Sequence, residues 1–190
     1  MTQPRLPLPG PDPEPPAAQL LAAYRDQGLP VMNINLALAY SPPAMAGLSM
    51  LGTGMRTDGT VEAADREIVI LRTACVAGCA YERFHHANMA LAAGLSPAQV
   101  DGIAKWRECA AFSPKQIALL AYVDASLDQS GVPDAVFEEV AGHFNRRQIV
   151  EITIMSGTYA LLAQLIRSLE IPPEDSAMSV ESFRSYAAER

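Results

Sequence analysis

Three short strings decide the folding class of this chain. Ser96-Pro97-Ala98-Gln99, Ser113-Pro114-Lys115-Gln116 and Asn145-Arg146-Arg147-Gln148 each set a small oxygen-bearing side chain three residues ahead of a glutamine. This spacing is that of a capping box, in which the first side chain accepts from the backbone N–H three residues on and the amide reaches back to the first backbone N–H. In two of the three strings a proline holds the first helical position, where its missing N–H costs nothing. Ser41-Pro42 and Val132-Pro133 read as further helix starts, Gly94 as a C-cap and Pro172-Pro173 as the stop of a long last helix. No stretch alternates with period two for long enough to make a strand. The punctuation predicts helices near residues 16–27, 31–40, 42–55, 61–77, 79–93, 97–106, 114–128, 133–141 and 146–170, with a short tail helix near 179–188. The expected fold is all-α, a single-domain bundle of about eight to ten helices. Seven of the first sixteen residues are proline, so 1–16 is expected to be a flexible arm, 17–171 the helical domain and 172–190 a C-terminal tail.

Composition agrees. The chain is 49% apolar but only 6% aromatic, so its apolar residues are mainly Ala, Leu, Val, Ile and Met, which suit helices. A net charge of −7 argues against a polyanion-binding surface, and no nucleic-acid partner is expected. Three cysteines make no disulfide scaffold and fit a reducing compartment. The N-terminus lacks the apolar core of a signal peptide. The longest apolar run, Ile149 to Ile166, carries Glu151, Ser156, Thr158 and Gln164, as a buried helix would and a bilayer span would not. A soluble, cytoplasmic protein without a membrane partner is the expectation.

The chemistry concentrates on two segments. On a wheel of residues 61–77, Glu62, Asp65, Arg66, Arg72 and Thr73 define a polar face. Glu67 is off that face, with Ala63, Ala64, Ile70 and Leu71 as its neighbours three and four residues away. A carboxylate in an apolar stripe is expensive unless paired or protonated. It is either a stripe-edge residue, a structural partner for an arginine, or a group set up for proton transfer. Next, Gly78 breaks the helix and Cys79 opens a new one, on which Cys79, Glu82 and His86 share a face opposite Phe84, Ala87 and Leu91. A thiol, a carboxylate and an imidazole on one stripe make an acid–base set. They also fit a buried small cysteine beside an ordinary i,i+4 pair. A zinc site is a third reading, although no second Cys/His cluster accompanies it. Cys75, Cys109, Met45, Met50 and Met55 read as core, and His143 as a loop residue. Tyr159, mid-helix among apolar residues, needs a partner for its hydroxyl and could line the same cavity. Arg66-Glu67-Ile68-Val69 is echoed by Arg147-Gln148-Ile149-Val150, as in a duplicated helix pair.

The run from Arg66 to Val100 resembles the carboxymuconolactone decarboxylase family, which includes alkylhydroperoxidase D. The pattern is Glu67, twelve residues to Cys79, then Tyr81-Glu82, His86 and the turn Gly94-Leu95-Ser96. The final helix is similar to the family's closing helix, and the resemblance covers roughly residues 30–171. It implies an all-α bundle of the alkylhydroperoxidase D-like type, assembled as a homo-oligomer (dimer, trimer or hexamer). It also implies that Glu67 and His86 relay protons, with Cys79 at the family's first cysteine and Tyr81 at a further relay position. The family's second cysteine is here Glu82, which removes the neighbouring thiol of a dithiol cycle. The resemblance therefore points first to the decarboxylase-like branch, cofactor-free and without a metal, acting on a small carboxylated lactone or organic acid. Glu67 and His86 would move protons, while Cys79, Tyr81, Glu82 and Arg83 line or tune the pocket. Arg83 or Arg72 would receive a substrate carboxylate. A thiol peroxidase taking a hydroperoxide at Cys79 alone is the alternative, and a non-catalytic or ligand-binding helical oligomer the third.

Overall fold

The computed structural model describes residues 4–10, 13, 15–26, 30–175 and 177. The expected tail helix near 179–188 lies outside them. Among the described residues there are α-helices and one 3-10 helix and no strand, as the punctuation predicts. The helices are α1 Ala17–Asp26, α2 Asn33–Leu38, α3 Pro42–Thr57, α4 Ala63–Val76, α5 Ala80–Ala92, α6 Pro97–Gly102, α7 Pro114–Ser126, α8 Asp134–Ala141 and α9 Arg146–Leu169. All three capping boxes form. Gln99 N–H donates to Ser96 Oγ at 3.2 Å, Gln116 N–H to Ser113 Oγ at 3.3 Å and Gln148 N–H to Asn145 Oδ1 at 3.0 Å. The glutamine amide oxygens accept the reciprocal bonds from Ser96, Ser113 and Asn145 N–H at 2.9, 3.0 and 3.0 Å. Val132-Pro133 starts its helix one residue late, because Pro133 is the extended N-cap and not the first helical residue.

The helix expected over 97–106 divides. α6 stops at Gly102 and a 3-10 helix, Ile103–Glu108, follows with Lys105 out of helical geometry at φ −122°, ψ 44°. A Cβ at 102 would collide with the Cys109 sulfur, so only glycine allows this approach. Trp106 anchors the segment: it is buried, and its Nε1–H donates to Asp124 Oδ2 at 3.1 Å.

The chain forms two compact units. The first comprises residues 1–59 and 166–176. Ala17, Leu21, Ala39 and Met45 make its core, with Leu20, Tyr24 and Leu36 packed around them. Tyr24 Oη and Ser49 Oγ lie 2.7 Å apart. Arg5 N–H donates to Leu169 O at 2.9 Å, and its guanidinium pairs with Glu170 at 2.9 Å. Of the methionines expected in the core, Met45 is fully buried, whereas Met50 is 78% exposed and Met55 half-buried. Met50 lies five residues from Met45 on α3, more than a full turn on, and so leaves the buried stripe.

The second unit contains residues 60–165, among them the candidates Glu67, Cys79, Glu82 and His86. Here the polar face of α4 is not a solvated one: Asp65 and Thr73 are buried. Lys115 Nζ of α7 lies 2.8 Å from Asp65 Oδ2 and 2.9 Å from Glu62 Oε2. Arg72 Nε binds Asp124 Oδ1 of α7, and its Nη1 donates to Ala104 O at 3.0 Å. The two pairs join early residues to early and late to late, so α4 and α7 run parallel. α9 is long and apolar enough to cross a membrane by length and composition alone. Its expected burial holds on one side only: Ile152, Met155 and Ala163 are buried, while Val150, Ile154 and Leu161 are exposed.

Burial pushes the Asp65 carboxyl above its usual range, and Lys115 draws it back. Burial also works against the Lys115 ammonium, but its bonds to Asp65 and Glu62 outweigh it and hold the lysine above its ordinary value. A carboxyl raised in the folded state binds its proton more tightly there than in the unfolded chain, so stability falls as pH rises from the ordinary aspartate value through the raised one. Lys115→Met removes the cation that opposes this. It is expected to cost about 2–3 kcal/mol at pH 7 and distinctly less near pH 4, where Asp65 can carry a proton. Urea denaturation at the two pH values checks it.

Candidate active site

The turn between α4 and α5 sets the site. Ala77 caps α4, Gly78 follows at φ +63°, and two bonds close the end. Gly78 N–H donates to Cys75 O at 3.2 Å and Cys79 N–H to Ala74 O at 2.9 Å, the paired pattern of a Schellman motif. The left-handed backbone at 78 favours glycine. Cys79 is at once the residue that closes α4 and the N-cap of α5, at φ −98°, ψ 98°. With no slack between them, α5 turns back antiparallel along α4.

That reversal brings Glu67 to the face predicted for Glu82 and His86. His86 Nδ1 and Glu67 Oε2 are 2.8 Å apart, and His86 Nε2 lies 3.4 Å from Glu82 Oε2. All three are buried, as is Cys79, 1% exposed. One imidazole thus stands between two carboxylates, each addressing a different ring nitrogen. Such an arrangement can take a proton on one nitrogen and release one from the other. Tyr159 of α9 lies at right angles to the His86 ring, centroids 5.1 Å apart at 89°, so it packs on the same imidazole. Tyr81 is buried too and packs against His85, ring centroids 4.7 Å apart and tilted by 53°. His85, buried against Tyr81 and Phe84, is the residue sequence reasoning passes over. Its signal is the i,i+4 spacing from Tyr81.

Other candidates fall elsewhere. Arg83 is exposed and lines a recess that includes none of Glu67, Cys79, Tyr81, Glu82 and His86. Arg72 is committed to Asp124 and to backbone carbonyls, so it does not receive a substrate carboxylate. Cys75 and Cys109 are half-buried, not core, and Cys79 is the buried cysteine. Burial pushes the Cys75 thiol up, against the pull of Arg83 and Arg72, which makes it a poor thiolate partner for Cys79. His143 is on the surface, its Nε2 3.7 Å from Glu139. The echo of Glu67 at Gln148 is local, since Gln148 closes a capping box and donates to Thr60 O at 3.0 Å. Among the described residues no group of three or more His, Cys, Asp or Glu is arranged to hold a metal ion.

Residues 42–125 match the carboxymuconolactone decarboxylase family, in agreement with the resemblance seen in Arg66–Val100. No curated protein matches the chain. An uncharacterized peroxidase-related protein from Ralstonia eutropha JMP134, described as an alkylhydroperoxidase AhpD core, has the same fold with TM-score 0.78 at 22% identity, over 96% of each chain. A protein of unknown function from Agrobacterium tumefaciens is 25% identical, with TM-score 0.68 over 73% of this chain and 95% of that one. A debrominase, as a cysteine-to-alanine variant in complex with 2,3,4-tribromopyrrole, is 14% identical, with TM-score 0.69 over 92% of this chain and 89% of that one. The alkylhydroperoxidase-like helical fold is thereby established.

A side chain at 78 would meet open space, so its cost is conformational alone. Gly78→Ala is expected to destabilise by about 1–2 kcal/mol, read as a lower urea midpoint with an unchanged slope. No loss would mean that the turn relaxes out of the left-handed region.

Proposed function

We propose that this chain, with its carboxymuconolactone decarboxylase family segment, is a cofactor-independent acid–base enzyme that decarboxylates or isomerises a small carboxylated lactone or organic acid. The observation that carries this reading is His86 held between Glu67 and Glu82 in a buried site. Glu67 engages Nδ1 and fixes the ring. Nε2 and Glu82 are then the groups through which a proton reaches or leaves a substrate carbon. In a decarboxylation the bond to the carboxylate carbon breaks, its electron pair stays on the remaining carbon, and neutral carbon dioxide leaves. The protonated imidazole supplies the proton that carbon takes up. A dry site favours the step because it destabilises the charged carboxylate more than the neutral product. An isomerisation moves a proton between two carbons through the same pair. Tyr81 and Cys79 complete the buried surroundings. The enzyme would work in the cytoplasm as a homo-oligomer, for which the exposed apolar side of α9 is the supporting feature.

Cys79 supports a second reading. It is the N-cap of α5, where the helix dipole favours negative charge, and it shares a face with Glu82 and His86. Neighbours in fold are named as peroxidase-related. In that reading the Cys79 thiolate attacks a hydroperoxide oxygen, the O–O bond breaks, and sulfenic acid and an alcohol or water result. An external thiol would then reduce the sulfenic acid.

Carbon dioxide release from a panel of small carboxylated lactones and keto acids separates the two. Glu67→Gln and His86→Gln are each expected to lower kcat by about 10²–10⁴, while Cys79→Ser keeps most of the rate. Loss of turnover in Cys79→Ser, with fast and selective oxidation of Cys79 by hydroperoxide, would replace the first reading by the second.

A further inference from the structure

Helix α5 has a second working flank. Ala80, Arg83, Phe84 and Ala87 recur at i, i+3, i+4 and i+7 and make one stripe. They face an open recess of about 300 Å³. Leu71 of α4, Val100 and Asp101 of α6, and Ile103 complete its lining. The Arg83 guanidinium and the Asp101 carboxylate are both exposed, and among the described residues neither has a hydrogen bond or an ion pair. Two opposite charges on one recess, not bonded to each other, are both open to a molecule that carries both opposite charges.

We propose that this recess is a binding site for a small zwitterion with a compact apolar side group, of the chemistry of an apolar α-amino acid. Arg83 presents a planar fork matched to a carboxylate. Asp101 accepts from the ammonium group. The Phe84 ring, Leu71, Val100 and Ile103 cover the side group. A volume near 300 Å³ lies at the small end of the range of about 300–1,000 Å³ usual for ligand cavities, which suits a single amino acid. The site is separate from the Glu67–His86–Glu82 cluster, none of whose members lines it.

Trp106, the single tryptophan, supplies a reporter. It lies three residues from Ile103, which lines the recess. The full-length protein is titrated with L-leucine, with 4-methylpentanoate (the same body without the amine) and with isoamylamine (the same body without the carboxylate). Binding is read by Trp106 fluorescence and by saturation-transfer NMR. L-Leucine is expected to saturate, with both single-ended probes binding at least about tenfold more weakly. Arg83→Gln and Asp101→Asn should each weaken L-leucine about tenfold, the loss of one charge-assisted contact, and Glu67→Gln should change nothing. No saturable signal in either readout at about 10 mM L-leucine, a concentration that fills even a millimolar site, overturns the proposal. So does 4-methylpentanoate binding as well as L-leucine with Asp101→Asn silent. A signal that tracks protein concentration and not ligand would overturn it too, by showing that a second copy of the chain covers the recess.

Discussion

Two ion pairs between α4 and α7 hold the helix on which the site depends. Asp65 pairs with Lys115 and Arg72 with Asp124. Asp65 and Arg72 are seven residues apart and so lie on the same side of α4, which they turn towards α7. Glu67, two residues past Asp65, is about 200° further round at 3.6 residues per turn and faces away from α7, towards α5. A charge left unpaired in such a place would cost more than the pair returns, so the helix cannot rotate about its axis without exposing that cost. The position of the catalytic candidate thus follows from two charges that take no part in its chemistry.

The second constraint is the turn at Gly78. A Schellman closure followed at once by an N-cap leaves α5 one direction in which to run. Cys79, Glu82 and His86, at offsets of zero, three and seven, then all address α4. Glu67 meets His86 at 2.8 Å across nineteen residues of sequence. Tyr159, from α9, closes on the same imidazole and limits its tilt. Three helices therefore fix one ring. The fold neighbours include a peroxidase-related protein and a debrominase, so the fold alone does not name a chemistry.

Much of this was legible in the residues. The capping boxes specify where helices start because the atoms that make them are local, within four residues. Glu67 stands out because a lone carboxylate in an apolar stripe demands a partner, and His86 because it shares a face with Glu82. What was not legible depends on contacts between distant segments. A helical wheel shows that Asp65 and Arg72 are polar; it does not distinguish a solvated face from one buried against opposite charges. It likewise puts Cys75 in the core, although Cys75 is partly open and Cys79, past the turn at Gly78, is the buried one. Met50 and Met45 differ by little more than one turn, yet one is in a core and the other in water.

The sequence by itself determined most of the helices, the starts marked by capping boxes and the residue types that meet as Glu67, Glu82 and His86, since hydrogen bonds within a turn and periodic burial are set by near neighbours. Only the tertiary structure decided which nitrogen of His86 meets which carboxylate, that Arg72 belongs to the frame, and that Arg83 opens on a recess of its own. These outcomes rest on how α4, α5, α6 and α7 pack, and packing pairs charges that no spacing along the chain brings together.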